Sequence, residues 1–225
     1  MIYILPTKRG LGIELWGNYD DLVFMHKTIS KFWNNENTLT KVGFENRDKL
    51  ISGFSYEIRK CYEGSRLRKV NSHFSSEKIE HLGVEISWVH FLFTLSALRY
   101  NMRYTENNKI DLSLMLHLEF WLENAMNEYD KIGANKLAYF ISDGIYAGNN
   151  YLYQFMRSIN ADYFRMNGEK KAFRKLPELL MRSVVFSEEY KFYTINLENE
   201  AKRLECEIEN LDIDDDNINY ENIKW

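Results

Sequence analysis

Three titratable residues stand where an ionised side chain is costly. His90, Glu85 and Asp143 each lie in or beside a strongly apolar stretch. His90 interrupts the run WVHFLFTLSAL, and Thr94, Ala97 and Asn101 follow on roughly its helical face. Such a polar stripe inside a core could line a pocket in which the imidazole acts as a base. It equally describes a core histidine satisfied by one or two hydrogen bonds. The second reading is favoured, because no Ser, Cys or carboxylate stands at a fixed helical offset to complete a relay. Glu14, Glu85 and Asp143 would do acid–base work or hold magnesium if two of them met. Nothing in their spacing forces a meeting, and solvent-facing sides of half-buried strands explain them as well. No catalytic residue is assigned on this basis; the three remain candidates for an unrecognised hydrolase.

Other chemistries find less support. His73 and His81 are separated by a polar link, and His117 precedes Glu119 by two, so neither pair has ligand spacing. Cys61 and Cys206 belong to no Cys-x-x-Cys or Cys/His pattern, and no metal is expected. Gly10-Leu11-Gly12 lacks the third glycine and the Lys-Ser of phosphate-binding loops, reads as a turn, and leaves no cofactor expected. A nuclease would want Asp followed by Glu-x-Lys on adjacent strands, whereas Glu77-Lys78-Ile79-Glu80 has the reverse order on a polar segment. The best nucleic-acid candidate is the basic run Arg59, Lys60, Arg66, Arg68 and Lys69, with Tyr62 and Phe74 interleaved. A charged strand edge that discourages sheet-to-sheet pairing accounts for the same residues. Glu57, Glu63 and a net charge of −4 tilt the balance that way.

The elements that must hold these residues centre on residues 83–104. There a short alternation (Val84, Ile86, Trp88 against Glu85, Ser87) passes into a segment too apolar for a surface helix. Before it, IYILP and GIELW read as a hairpin around Gly10 and Gly12. Asn18 or Asp20 caps a helix carrying Leu22, Met25, Ile29 and Phe32 to about Trp33, and Leu50, Phe54 and Ile58 mark a second helix ending near Gly64. SRLRKVNSHFSS and residues 77–88 add strands, giving a small antiparallel sheet of three or four. After it, Asp111 is expected to cap a helix that Gly133 ends. The next helix should run to about Tyr163 with Gly144 and Gly148 on one face, NGEKK should be a loop, and Pro177 should open a final helix. Leu197, Ala201, Leu204, Ile208 and Leu211 then alternate four and three, a seam suited to a long C-terminal helix that docks back on its own domain or, alternatively, binds a partner or a second copy.

The expected fold is therefore α+β and mostly α. One domain spans residues 1–211, sheet-bearing to about 88 and a helical bundle beyond, with an acidic flexible tail over 212–225. Only 2 Pro and 11 Gly among 225 residues favour long helices, and 15% aromatic residues can build a core without disulfides. No signal peptide or membrane-length run is visible, so a soluble cytoplasmic protein is expected. The frequent Asn, Ile and Lys suggest an AT-rich bacterial genome.

The segment GIELWGNYDDLVFMHKTISKFW, followed by NRDKLISGFSYEIRK and GVEISWVHFLF, resembles a small family of uncharacterised bacterial proteins, up to about Tyr163. That family brings no activity and no catalytic residue with it. The strand–GxYxxL–helix opening is also similar in style to small immunity proteins that neutralise toxins. The function expected is a non-enzymatic protein-interaction subunit, an immunity- or antitoxin-like protein or an accessory factor of a bacterial defence system. Its abundant Tyr and Trp and its terminal seam would provide the surface. A nucleic-acid-associated regulator is the alternative, and a hydrolase at His90 a further one.

Overall fold

The computed structural model describes residues 1–71, 79–212, 218 and 222–225. Strands β1 (Tyr3–Pro6), β2 (Gly12–Gly17), β3 (Leu67–Asn71) and β4 (Ile79–Ser87) form an antiparallel sheet in the order β1-β2-β4-β3. Pairing sets Ile13 opposite Ile86 and Leu15 opposite Val84, so the core face is continuous across the two central strands. The same register sets Glu14 opposite Glu85 on the other face. β3 begins with Leu67 opposite Gly83, so among the described residues no strand pairs with residues 84–87 of β4 on that side.

The hairpin turn is an anchor. Gly10 has φ +67, and its carbonyl accepts from Trp88 Nε1 (2.9 Å) and Tyr163 Oη (2.6 Å). The Arg9 carbonyl accepts from the backbone of Glu169 (2.6 Å) and from Tyr129 Oη (3.1 Å). Four helices are thus tied to two consecutive residues.

Helix α1 (Tyr19–Ile29) begins at Asn18, whose side chain and that of Asp21 form a reciprocal capping box, and a 3-10 turn carries it to Phe32. The connector after it holds a short helix, α2 (Glu36–Leu39), followed by α3 (Phe44–Tyr62). The central segment is α4 (Trp88–Met102), capped by Ser87 and buried on nearly every face. It contacts α3, the sheet and two helices later in the chain, Lys131–Ser142 and Leu152–Arg165, which makes it the centre of a core cluster running from Ile2 to Leu180.

Beyond α4 several expected boundaries move. Asn108, not Asp111, caps α5 (Lys109–Tyr129); Asp111 supplies the reciprocal half of that box. The break before α6 (Lys131–Ser142) falls at Asp130, which ends one helix and caps the next. Gly133 lies inside α6, where a Cβ would meet the Phe173 ring at 2.5 Å. The long helix expected through Tyr163 is two, α6 and α7 (Leu152–Arg165), so Gly144 and Gly148 sit in the loop between and share no helix face. α8 (Glu169–Leu180) starts within the expected NGEKK loop and holds Pro177 in its interior; Ala172, Phe173, Leu176 and Leu180 form its buried face.

The C-terminal helix is also shorter than the seam implies. α9 (Glu188–Arg203) stops because Glu205 turns left-handed (φ 52), letting Cys206 N–H reach the Ala201 carbonyl at 3.0 Å. Leu197 and Ala201 are on the helix, Leu204 is its exposed cap, and Ile208 and Leu211 follow on a turn that docks back. Gln154 Nε2 donates to the carbonyls of Ile208 and Leu211 (2.9 and 3.2 Å), and Tyr190 and Tyr193 pack on Phe155. Of the expected flexible tail, 213–217 and 219–221 lie outside the described residues. Ile218, Ile223 and Trp225 pack against the main core, with the Trp225 ring 5.8 Å from that of Phe164.

Candidate functional site

The open end of β4 is where the chemistry gathers. Because β3 stops short, residues 85–87 face α3 and α7 across a gap instead of a strand. α3 brings Phe54 and Glu57, the first turn of α4 brings His90, and α7 brings Asn160 and Phe164. Ile223 and Trp225 complete the lining. The cavity is a cleft open to solvent on one side and measures about 290 Å³. His90 and Glu85, the two candidates from opposite sides of the strand–helix junction, both line it. Asp143 does not: it ends α6 beside a smaller cavity of about 120 Å³ lined also by Arg99, Arg103 and Tyr146.

Ser87 shows how the junction is built. Its Oγ accepts the His90 backbone N–H at 3.0 Å, ending the strand and starting the helix in one residue. That places the His90 ring one turn into α4, facing the cavity instead of the helix–helix contacts. The ring makes no hydrogen bond with any described residue, and burial pushes its pKa down to about 4, with Glu57 pulling weakly the other way. His90 is therefore neutral at pH 7, one nitrogen donating and the other accepting.

The carboxylates differ in how they are met. Glu57 receives Arg66 in a two-pronged pair, Nε at 2.8 Å and Nη2 at 3.0 Å. Glu85 has no cation or hydrogen-bond donor among the described residues. Burial raises its pKa, and the Glu14 carboxylate opposite raises it further. Asn160 Oδ1 is buried in the same lining without a partner among the described residues. Three polar groups thus line one cleft without a hydrogen-bond partner among the described residues, walled by Phe54, Phe164 and Trp225.

The rest of the expected polar stripe is divided. Thr94 is buried on α4, and Asn101 serves Arg47, whose Nε donates to Asn101 Oδ1 at 2.7 Å. Arg47 is wholly buried, with Nη1 on the carbonyls of Val42 (2.6 Å) and Ala147 (2.9 Å) and its guanidinium 4.2 Å from the Tyr100 ring. Nothing in the spacing marked Arg47, Asn160 or Trp225 as important; each acquires its role from a contact far away in the chain.

The basic run is largely engaged within the molecule. Arg66 holds Glu57, Arg59 and Lys60 flank Glu63 at 3.8 and 3.0 Å, and Arg68 donates to the Gly64 carbonyl at 3.0 Å. Lys69 lies 4.2 Å from the Trp16 ring and 4.9 Å from that of Tyr3. Phe74 and His73, expected near this run, lie outside the described residues. His117 Nε2 donates to the Ile2 carbonyl at 2.8 Å, and His81 packs on Tyr3. Among the described residues no three His, Cys, Asp or Glu side chains stand close enough to hold a metal ion, and no helix is long and apolar enough to cross a membrane.

Over residues 2–225 the chain matches a family described as a domain of unknown function (DUF6904), and it belongs to that family. The match is wider than the segment that carried the resemblance in the sequence, reaching through α8 and α9. No curated protein and no solved structure matches the chain.

Proposed function

We propose that this DUF6904 member binds a small organic molecule in the cavity at the open edge of β4, with His90, Glu85 and Asn160 as the recognising groups. The observation that carries the proposal is the convergence on one aromatic-walled cleft of about 290 Å³ of a buried, unmet Asn160 Oδ1 with half-buried Glu85 and His90, whose side chains have no hydrogen-bond partner among the described residues. Burying such groups unmet costs stability, and a ligand that meets them recovers it. Hydrolysis at the same site asks for more. A nucleophile must be bonded to the base, and among the described residues no hydroxyl or thiol is hydrogen-bonded to the His90 ring. Ligand-detected NMR with a fragment collection tests the reading. Hits should bind the native protein and lose binding to His90→Leu and Asn160→Leu variants of unchanged fold. Hits indifferent to both substitutions would send the search elsewhere on the surface.

A second reading, a protein-interaction subunit, draws on a different observation. Leu112, Leu116 and Phe120 follow at four-residue spacing on α5 and are 48%, 65% and 55% exposed, an apolar stripe on the solvent side of that helix. The expectation of a bacterial, cytoplasmic, immunity- or antitoxin-like protein belongs to this reading. It would place the interface on α5 instead of on the C-terminal seam, since Leu197, Ala201 and Leu211 are buried within the chain. A Leu116→Glu, Phe120→Glu double variant should then lose a partner that the native protein co-purifies stoichiometrically; retention of that partner would remove the stripe from consideration.

A further inference from the structure

We infer that the cavity takes a compact organic cation, a primary amine or guanidinium on a short carbon chain, with Glu85 as its counter-charge and Phe54, Phe164 and Trp225 as its walls. The inference rests on reading the cavity as a ligand site. Its first support is the sign of the charge. Glu57 and Glu85 line the space, Glu14 stands opposite Glu85, and among the described residues no Lys or Arg is in the lining. Arg66 offsets Glu57, which leaves Glu85 as the carboxylate awaiting a cation.

The second support is the wall. Aromatic faces attract cations. The chain uses this chemistry elsewhere, with Arg47 over Tyr100 at 4.2 Å and Lys69 over Trp16 at 4.2 Å. A hard metal ion is poorly served by one free carboxylate among rings, since magnesium and calcium demand six or more oxygen ligands. Anions have a better place next door. Across Phe164 and Ile223 lies a second cavity whose lining includes Arg9, Arg165 and Lys224.

Size sets the third constraint. The cavity equals roughly ten water molecules at about 30 Å³ each, enough for a short chain and one cationic head. Asn160 Oδ1 then accepts one N–H of that head, and neutral His90 accepts or donates at its flank.

The test uses the full chain and five probes at millimolar concentration: n-butylammonium, N-butylguanidinium, tetramethylammonium, n-butanol and butyrate. Binding is read by calorimetry and by chemical-shift changes at the Trp225 indole. The butyl cations should bind, the two neutral and anionic probes should bind at least tenfold more weakly, and Glu85→Gln should weaken the cations tenfold or more. Tetramethylammonium separates charge from N–H donation; binding equal to that of butylammonium would assign the affinity to the rings and remove Asn160 from the account. Butanol or butyrate binding as well as the cations, with sensitivity to Asn160→Leu, would overturn the cation assignment and leave the ligand site standing. Unchanged cation affinity in Glu85→Gln would also overturn it. Silence from every probe, in the native protein and in a folded Trp225→Ala variant with a wider mouth, would overturn both.

Discussion

Acidification should unfold this protein partly through His90, and the amount can be worked out. In the unfolded chain the imidazole titrates near 6.5; burial in the β4 cavity lowers that to about 4. At pH 7 both states carry a neutral ring and the group contributes nothing. Between pH 6.5 and 4 the unfolded chain holds a proton that the folded one refuses, so stability falls steadily as pH drops through that window and levels off below it. At about 1.4 kcal/mol per tenfold difference in proton affinity, the full loss is about 3 kcal/mol. That is a large part of the roughly 5–15 kcal/mol typical of a folded domain. Urea unfolding at a series of pH values measures it, with His90→Gln as the comparison because it keeps volume and polarity without titrating. The native protein should lose about 1 M more in midpoint than the variant between pH 7 and pH 4, for a slope near 3 kcal/mol/M. Burial also lowers His26 and His81, but these are present in both proteins and cancel in the difference. Parallel pH profiles for the two proteins, or an imidazole NMR titration near 6.5 in the folded state, would refute the reasoning.

Four further substitutions have expected outcomes. Glu85→Gln should raise stability at pH 7 by about 0.2–1 kcal/mol, because it removes a like charge directly opposite Glu14. The folded pKa of Glu85 is raised, so the native penalty is present above that pKa and lost on acidification, and the advantage of the variant should vanish at low pH. Arg47→Met should cost about 3 kcal/mol or more in chemical denaturation, since it strands Asn101 Oδ1 and the Ala147 carbonyl in the core; a smaller loss would mean that water replaces the guanidinium. Gly53→Ala should raise the melting temperature, gaining about 0.5–1 kcal/mol, because the added methyl meets nothing within 4 Å in mid-α3. Gly43→Ala should lower it, with φ +73 and the Asn149 carbonyl 2.0 Å from the new carbon.

What could be read in the sequence is what local physics determines. The hairpin, the sheet and α4 were legible because alternation and an unbroken apolar run each admit one arrangement, and Asn18 was legible as a cap because its side chain acts within three residues. The missed boundaries share a cause. Asp130 and Glu205 break helices where glycine is the usual signal, the first by capping in both directions and the second by entering the left-handed region. Gly133, Gly144 and Gly148 misled for the complementary reason: Gly133 is there for the Phe173 ring and the other two belong to a loop. Pro177 sits within a helix because the buried stripe of α8 outweighs one missing donor. At the site, His90 and Glu85 stood out because they are polar among apolar neighbours. Their meeting with Asn160 depends on where β3 starts and on how α7 crosses α4, and no spacing along one chain encodes that.

Arg47 and Glu85 together argue that the cavity is a place for something else and not a fault in packing. A buried guanidinium is the harder group to accommodate, yet the fold surrounds it with two carbonyls within 3 Å, an asparagine and a tyrosine ring. No acid is needed. Glu85 is easier to satisfy, being near a strand edge with Arg66 already on the neighbouring Glu57. The same chain that closes the space around Arg47 leaves room around Glu85, His90 and Asn160 and walls it with rings. Packing that had only failed to close would collapse apolar side chains into the gap, whereas here the polar groups line the opening and the aromatic ones frame it. The cost is borne at Glu85, where burial and Glu14 both oppose the charge. It is the cost a cationic ligand would remove.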